Sequence, residues 1–87
     1  MNPSERIEII KQRLQTLSPV LLNIIDESHK HIGHVGAQGG ASHFALEIVA
    51  KEFENLKPIQ RHQRIYELLK DLIPLEIHAL KINARAA

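Results

Sequence analysis

The sequence predicts a two-layer α+β domain, with two helices on one face of a three-stranded mixed sheet. Apolar residues recur at helical spacing in two segments and at strand spacing in three others, in the order helix, strand, strand, helix, strand. Each helix carries one apolar stripe, and two such stripes can be buried together against one side of a sheet. The 87 residues are enough for a single domain spanning 1–87.

The first helix is predicted from the residues around Pro3 to about Leu17. Asn2 is a suitable N-cap, Pro3 fits the first helical position, and Glu5 stands where a capping-box acid would be. Ser18 and Pro19 then end the helix, because proline disfavours helical backbone in the residue before it. The predicted buried stripe comprises Ile7, Ile10, Leu14 and Leu17.

Residues 20–27 are rich in branched side chains and predict a first strand, and residues 42–50 alternate at period two and predict a second. We expect these two strands to be antiparallel. A second helix is predicted from Pro58 to the residues before Pro74, and a third strand over 75–84. Because a helix links the second and third strands, they can be parallel with a right-handed crossover.

The second helix is expected to bury one apolar face, and the third strand is expected to place one histidine beside apolar residues. The predicted helix face comprises Ile59, Ile65, Leu68, Leu69 and Leu72. His78 is predicted to share a face of the strand with Leu80 and Ile82. A side chain near the start of a strand can emerge at the end of the sheet, so His78 is a candidate functional residue.

Composition excludes several classes of protein. The chain has no cysteine, so it has no disulfide and no thiolate ligand of its own for zinc or iron–sulfur binding. The formal charge is +1 and only three residues are aromatic, which argues against a strong nucleic-acid binder. No apolar run approaches the roughly 20 residues that span a bilayer, and the first residues lack a signal peptide's apolar core. We therefore expect a cytoplasmic protein with no membrane contact.

The stretch from residue 29 to residue 44 concentrates groups that can bind metal or transfer protons. It contains four of the six histidines and all four glycines. His29, His31 and His34 lie in or beside the predicted loop, and two histidines two residues apart can chelate one metal ion. A complete tetrahedral site would need further ligands. His43 and His62 are interpreted as structural residues.

Other motifs are weak. Residues 36–39 match the GxxG pattern with which KH domains clamp a nucleic-acid backbone, but here the pattern joins two strands instead of two helices. Arg61, Arg64 and Lys70 on the second helix can contact phosphate, although a solvated helix face is the simpler interpretation. The sequence contains no nucleophile elbow, phosphate loop or HExxH motif, so we expect no enzymatic activity.

Several segments, taken in order, resemble the BolA-like proteins. They are Glu27-Ser28, the histidine- and glycine-bearing loop, Ser42-His43-Phe44, Phe53, residues 60–66 and residues 77–80. The resemblance implies an αββαβ arrangement similar to a type II KH domain. It also implies a monothiol glutaredoxin partner that shares a two-iron two-sulfur cluster (2Fe–2S), with glutathione bound on the glutaredoxin side. The BolA-like side would supply His78 and a loop ligand best matched by His31, with His29 and His34 as rivals.

The resemblance also leaves other functions open. Bacterial members are described as DNA-binding regulators of morphology and stress genes, which would place Arg61, Arg64 and Lys70 near DNA. A third possibility is a free-standing zinc or nickel binder through the loop histidines. We expect the isolated protein to be a monomer or weak dimer without a bound cluster. If the chain is an adapter that shares a cluster with a glutaredoxin, both cluster trafficking and iron sensing are compatible functions.

Overall fold

The computed structural model describes residues 2–28 and 42–87. Helix α1 spans Pro3–Leu14, strand β1 Leu21–Asp26, strand β2 His43–Ala50, helix α2 Pro58–Leu69 and strand β3 Ala79–Ala86. Short 3₁₀ turns continue α1 to Leu17, follow β2 at Lys51–Phe53 and continue α2 to Leu72. The predicted class and the predicted order of elements are therefore confirmed, while the similarity to a type II KH domain stays a prediction.

Strand β2 is the centre of the sheet, whose order is β1-β2-β3. It pairs antiparallel with β1 and parallel with β3, as the sequence predicted. Leu46 lies opposite Ile24 on one side and Ile82 on the other, so apolar residues form rows across the sheet. Since side chains alternate along a strand, this register directs one set of residues from all three strands to the same face.

The hydrophobic core lies between that face and the two helices. The residues of β2 that face the helices are all at most 2% exposed: Phe44, Leu46, Ile48 and Ala50. Ile10 and Leu14 from α1 and Ile65 and Leu69 from α2 pack into the same cluster. The other residues of β2 are only half-buried, so the sheet has a helix-covered face and an open face.

The ends of α1 follow the local chemistry of the sequence. The Asn2 side chain caps the helix by accepting a hydrogen bond from the Glu5 backbone N–H at 2.8 Å. At the other end Ser18 adopts left-handed backbone, with φ of 47°, directly before Pro19. The predicted end of the helical segment near Leu17 is confirmed.

The predicted start of the third strand at residue 75 was wrong, because β3 begins at Ala79. The backbone N–H groups of Glu76 and Ile77 donate to the Leu72 carbonyl at 2.8 and 2.9 Å, so the chain folds back before it can pair with β2. His78 therefore precedes the strand, and it is exposed whereas Leu80 and Ile82 are partly buried against the core.

Ile59 was wrongly predicted to be buried, since it is 61% exposed. At 3.6 residues per turn it lies about 120° around the helix axis from Ile65, outside the apolar stripe. The buried stripe of the second helical segment is centred on Ile65, Leu69 and Leu72.

Candidate functional site

His78 lies at the end of the sheet where β2 and β3 begin and β1 ends. Its backbone N–H donates to the Ser42 carbonyl at 2.7 Å, and the Ala79 N–H donates to the same oxygen at 3.3 Å. The His78 side chain is exposed. The backbone is thus anchored to the start of β2 while the imidazole stays accessible. We call the group Glu27, Ser42, His43, His78 and Ala79 the histidine end of the sheet.

His43 lies beside His78 at this end. The centroids of the two rings are 5.1 Å apart and the ring planes are tilted by 50°. His43 opens β2 and is half-buried. Sequence reasoning treated His43 as structural and missed this proximity. A usable signal was present, because both histidines stand at the beginnings of strands that were predicted to be parallel, and parallel strands begin at the same end of a sheet.

A shallow pocket of about 200 Å³ opens at the histidine end. It is lined by Glu27, His43, Phe44, Ala79, Leu80 and Lys81. The Glu27 carboxylate is only 11% exposed and pairs with the Lys81 ammonium at 3.2 Å, while Lys81 is 73% exposed. A nearly buried carboxylate is stabilised by such a cation, and the pairing ties the end of β1 to β3 across the starting residues of β2.

Hydrogen bonds at this end of the sheet join the residues just before residue 29 to those just after residue 41. The Glu27 N–H donates to the His43 carbonyl at 2.7 Å, which continues the pairing of β1 with β2. The His43 N–H donates to Ser28 Oγ at 3.2 Å, and the Ser28 N–H donates to Asp26 Oδ1 at 2.8 Å. The predicted candidates His29, His31 and His34, and the GxxG pattern at 36–39, lie outside the described residues.

Arg6 connects α1 to the histidine end. Its Nη1 donates to Ser42 Oγ at 2.7 Å and its Nε donates to a Glu76 carboxylate oxygen at 3.2 Å. The Arg6 side chain is 13% exposed and Ser42 is 2% exposed, so the contact with Ser42 is shielded from water, whereas the Glu76 side chain is 34% exposed. Sequence reasoning did not single out Arg6 and missed both contacts.

The three candidates for phosphate contact all have partners within the chain. Arg61 donates from Nε to the Leu56 carbonyl at 3.0 Å and from Nη1 to the Ala84 carbonyl at 3.1 Å. Arg64 pairs with Glu52 at 3.3 Å, and Lys70 pairs with Glu67 at 2.8 Å. The hydrogen bond to Glu67 raises the pKa of Lys70 above its ordinary value. Their predicted role in nucleic-acid binding stays a prediction.

Two further carboxylates are stabilised in their charged form. Hydrogen bonds from Asn23 and Arg85, each at 3.0 Å, lower the pKa of Glu47 on the open face. Arg13 donates to both Asp71 oxygens, at 2.6 and 2.8 Å, and lowers the pKa of Asp71 to about 2. The second pair joins α1 to the turn after α2.

Metal ligation at the histidine end is possible only with additional donors. Within residues 2–28 and 42–87, no group of three or more His, Cys, Asp or Glu side chains is arranged to hold a metal ion. His78 provides an exposed imidazole, which suits iron and other transition metals when neutral. His78 could supply one ligand to a metal whose other ligands come from elsewhere. Separately, no helix in the described part of the chain is long and apolar enough to cross a membrane.

The fold and this end of the sheet define a class of small α+β domain with a histidine exposed just before the last strand. The chain belongs to the BolA-like protein family, whose model matches residues 14–87. The predicted resemblance is therefore confirmed.

Several relatives support this assignment. The chain is 42% identical over 77 residues to the DNA-binding transcriptional regulator BolA of Haemophilus influenzae, covering 87% of this chain and 72% of that protein. It is 38% identical over 84 residues to the chloroplastic protein BOLA1 of Arabidopsis thaliana, covering 92% of this chain but only about half, 52%, of that protein. The solved BolA domain of SufE1 from Arabidopsis thaliana superposes with a TM-score of 0.81 at 36% identity, covering 99% of this chain and 95% of that one.

Proposed function

We propose that this chain is a non-enzymatic BolA-like adapter of the cytoplasm that binds a monothiol glutaredoxin. In the proposed complex, His78 ligates a 2Fe–2S cluster that the glutaredoxin and glutathione hold from the other side. The complex would serve iron–sulfur cluster trafficking or iron sensing. The observation that carries this proposal is the placement of His78, whose side chain is exposed while its backbone is bonded to the start of the central strand.

The residue types of the chain are consistent with a cluster that is shared with a second protein. The chain has no cysteine, so thiolates would come from the partner and from glutathione. Replacing thiolate by neutral imidazole on a cluster raises its reduction potential, as Rieske centres show. An imidazole on the BolA-like side would therefore tune the cluster for transfer or for sensing.

A second ligand is proposed from the segment 29–41, with His31 as the first candidate and His29 and His34 as rivals. This assignment rests on the family resemblance. The described residues support it in one respect, because Ser28 and Ser42, which flank the segment, lie at the same end of the sheet as His78. A ligand from this segment and His78 would then approach the cluster from one side.

The proposal is tested by forming the mixed complex. Cluster-loaded monothiol glutaredoxin and glutathione are mixed with the wild-type chain, and visible absorption and circular dichroism are followed. We expect a new spectrum with wild type that is lost with His78→Ala, while His31→Ala tests the loop ligand. His62→Gln replaces a histidine on α2 and serves as the matched control. A spectrum that survives His78→Ala would refute His78 as the ligand, and no spectral change with wild type would refute the adapter function.

A DNA-binding transcriptional regulator is the second candidate, because the Haemophilus influenzae relative carries that name. It ranks lower because the formal charge is only +1 and because Arg61, Arg64 and Lys70 are already paired within the chain. Phosphate neutralisation supplies most of the affinity for DNA. If this function holds, fluorescence anisotropy with duplex DNA should show binding that weakens steeply with salt and weakens further in Arg64→Gln and Lys70→Gln. DNA binding that responds neither to salt nor to these two substitutions would contradict the regulator function.

A further inference from the structure

Arg6, in the first turn of α1, contacts both chain segments that converge on His78. One guanidinium nitrogen bonds to Ser42, directly before β2, and another bonds to Glu76, two residues before His78. These partners are 36 and 70 residues away from Arg6 in sequence. The first turn of α1 thus lies over the point where β2 and β3 begin.

Both partners of Arg6 are directly connected to His78, Ser42 by a hydrogen bond and Glu76 along the backbone. Ser42 accepts from Arg6 through its side chain and accepts from the backbone N–H groups of His78 and Ala79 through its carbonyl. Glu76 belongs to the turn whose backbone leads directly into His78. A shift of Ser42 or Glu76 would therefore move the backbone on which the imidazole stands. Hydrogen bonds from a charged group are stronger than those between neutral groups, and the bond to Ser42 lies in a shielded position.

We propose that Arg6 is the positioning residue for His78. It fixes the chain before β2 and the chain before β3 relative to each other, so that His78 presents its imidazole in one place at the sheet end. Arginine suits this function because its planar guanidinium offers several donors in fixed directions, whereas lysine offers a single charged centre. Arg6 lies outside residues 14–87, the part of the chain that matches the family model. Membership of the family therefore does not by itself imply this role for Arg6.

The structural half of this inference is tested on the isolated protein by amide hydrogen exchange followed by NMR. In Arg6→Gln, exchange at the His78 and Ala79 amides should accelerate by about tenfold, the scale expected for losing a hydrogen bond from a charged group. Glu76→Gln keeps an acceptor oxygen for Arg6 and should exchange at nearly the wild-type rate. Arg13→Gln is the matched control, because it removes another ion-pairing arginine from the same helix, and it should leave both amides unchanged.

Two results would overturn the positioning role. One is equal acceleration at these amides in Arg6→Gln and Arg13→Gln. The other is equal acceleration of the buried β2 amides in Arg6→Gln, which would indicate loss of global stability instead of local release.

The functional half rests on the proposed glutaredoxin complex and is tested in the mixed-complex assay. We expect Arg6→Gln to reduce the dichroism of the shared cluster several-fold, and Arg13→Gln to leave it unchanged. If Arg6→Gln releases the His78 amide but keeps full cluster dichroism, the positioning of the ligand is refuted. If wild type itself forms no mixed complex, the proposed function fails, and the exchange experiment still decides whether Arg6 holds the backbone of His78.

Discussion

Substitution of Arg61 tests whether this arginine of the second helix stabilises the fold. The sequence made it a candidate for phosphate contact, but its guanidinium bonds to two backbone carbonyls, Leu56 at 3.0 Å and Ala84 at 3.1 Å. These bonds join the chain before α2 to strand β3. We therefore predict that Arg61→Gln destabilises the fold, whatever the chain binds.

The magnitude follows from the two bonds. A hydrogen bond involving a charged group contributes about 1.5–3 kcal/mol, and partial exposure of Arg61 reduces that value. We expect the free energy of unfolding to fall by about 2 kcal/mol in total, a substantial part of the roughly 5–15 kcal/mol typical of such domains. For a chain of this size the melting temperature should fall by about 10 °C.

The assay is urea and thermal unfolding of the purified variants, followed by circular dichroism. Arg64→Gln is the matched control on the same helix, because its ion pair with Glu52 joins side chains that are 50% and 40% exposed. Such a pair contributes less than about 1 kcal/mol. If both variants lose the same stability, the reasoning about Arg61 is wrong. If Arg61→Gln alone is destabilised, any loss of DNA binding in that variant has to be corrected for unfolding.

Three other predictions concern folding and pH. His78→Ala should change the unfolding free energy by less than about 0.5 kcal/mol, because the side chain is exposed; a larger loss in urea unfolding would give His78 a structural role. Ile65→Ala should cost about 2–5 kcal/mol in the same assay, whereas Ile59→Ala should be nearly neutral, and similar losses would contradict the observed burial. The pKa of Asp71 is lowered to about 2 by Arg13, so its stabilisation is present above the ordinary carboxyl pKa, about pH 4, and is lost as the pH falls towards 2. The stability difference between wild type and Asp71→Asn should disappear over that range, and a constant difference would refute the assignment.

The strands and helices were predictable where the signal is local. The alternation of Phe44, Leu46, Ile48 and Ala50 is a property of neighbouring residues, and the structure buries all four against the helices. The same holds for Asn2 as the cap of α1. The burial predicted for Ile59 was wrong because its apolar character does not reveal that it lies about 120° around the helix axis from Ile65.

The contacts at the histidine end were harder to predict because they depend on packing. Arg6 bonds to residues 36 and 70 positions away, and nothing in its local sequence distinguishes it from other arginines of a polar helix face. The start of β3 also depends on a turn, in which Glu76 and Ile77 bond back to Leu72. The proximity of His43 to His78 follows from the parallel register, but only once that turn has set where β3 begins.

Hydrogen bonds close the sheet at both ends of the chain that connects β1 to β2, and this affects how that connection can vary in length. Phe44 enters the core one residue after His43, and the Glu27–His43 hydrogen bond closes the ladder just before it. A change in the number of residues between Ser28 and Ser42 therefore leaves this framework in place, and doubling the length of such a connection costs only about 0.6 kcal/mol. The connection between β1 and β2 can therefore vary independently of the sheet. Its sequence can change during evolution or by design while the sheet that carries His78 stays the same.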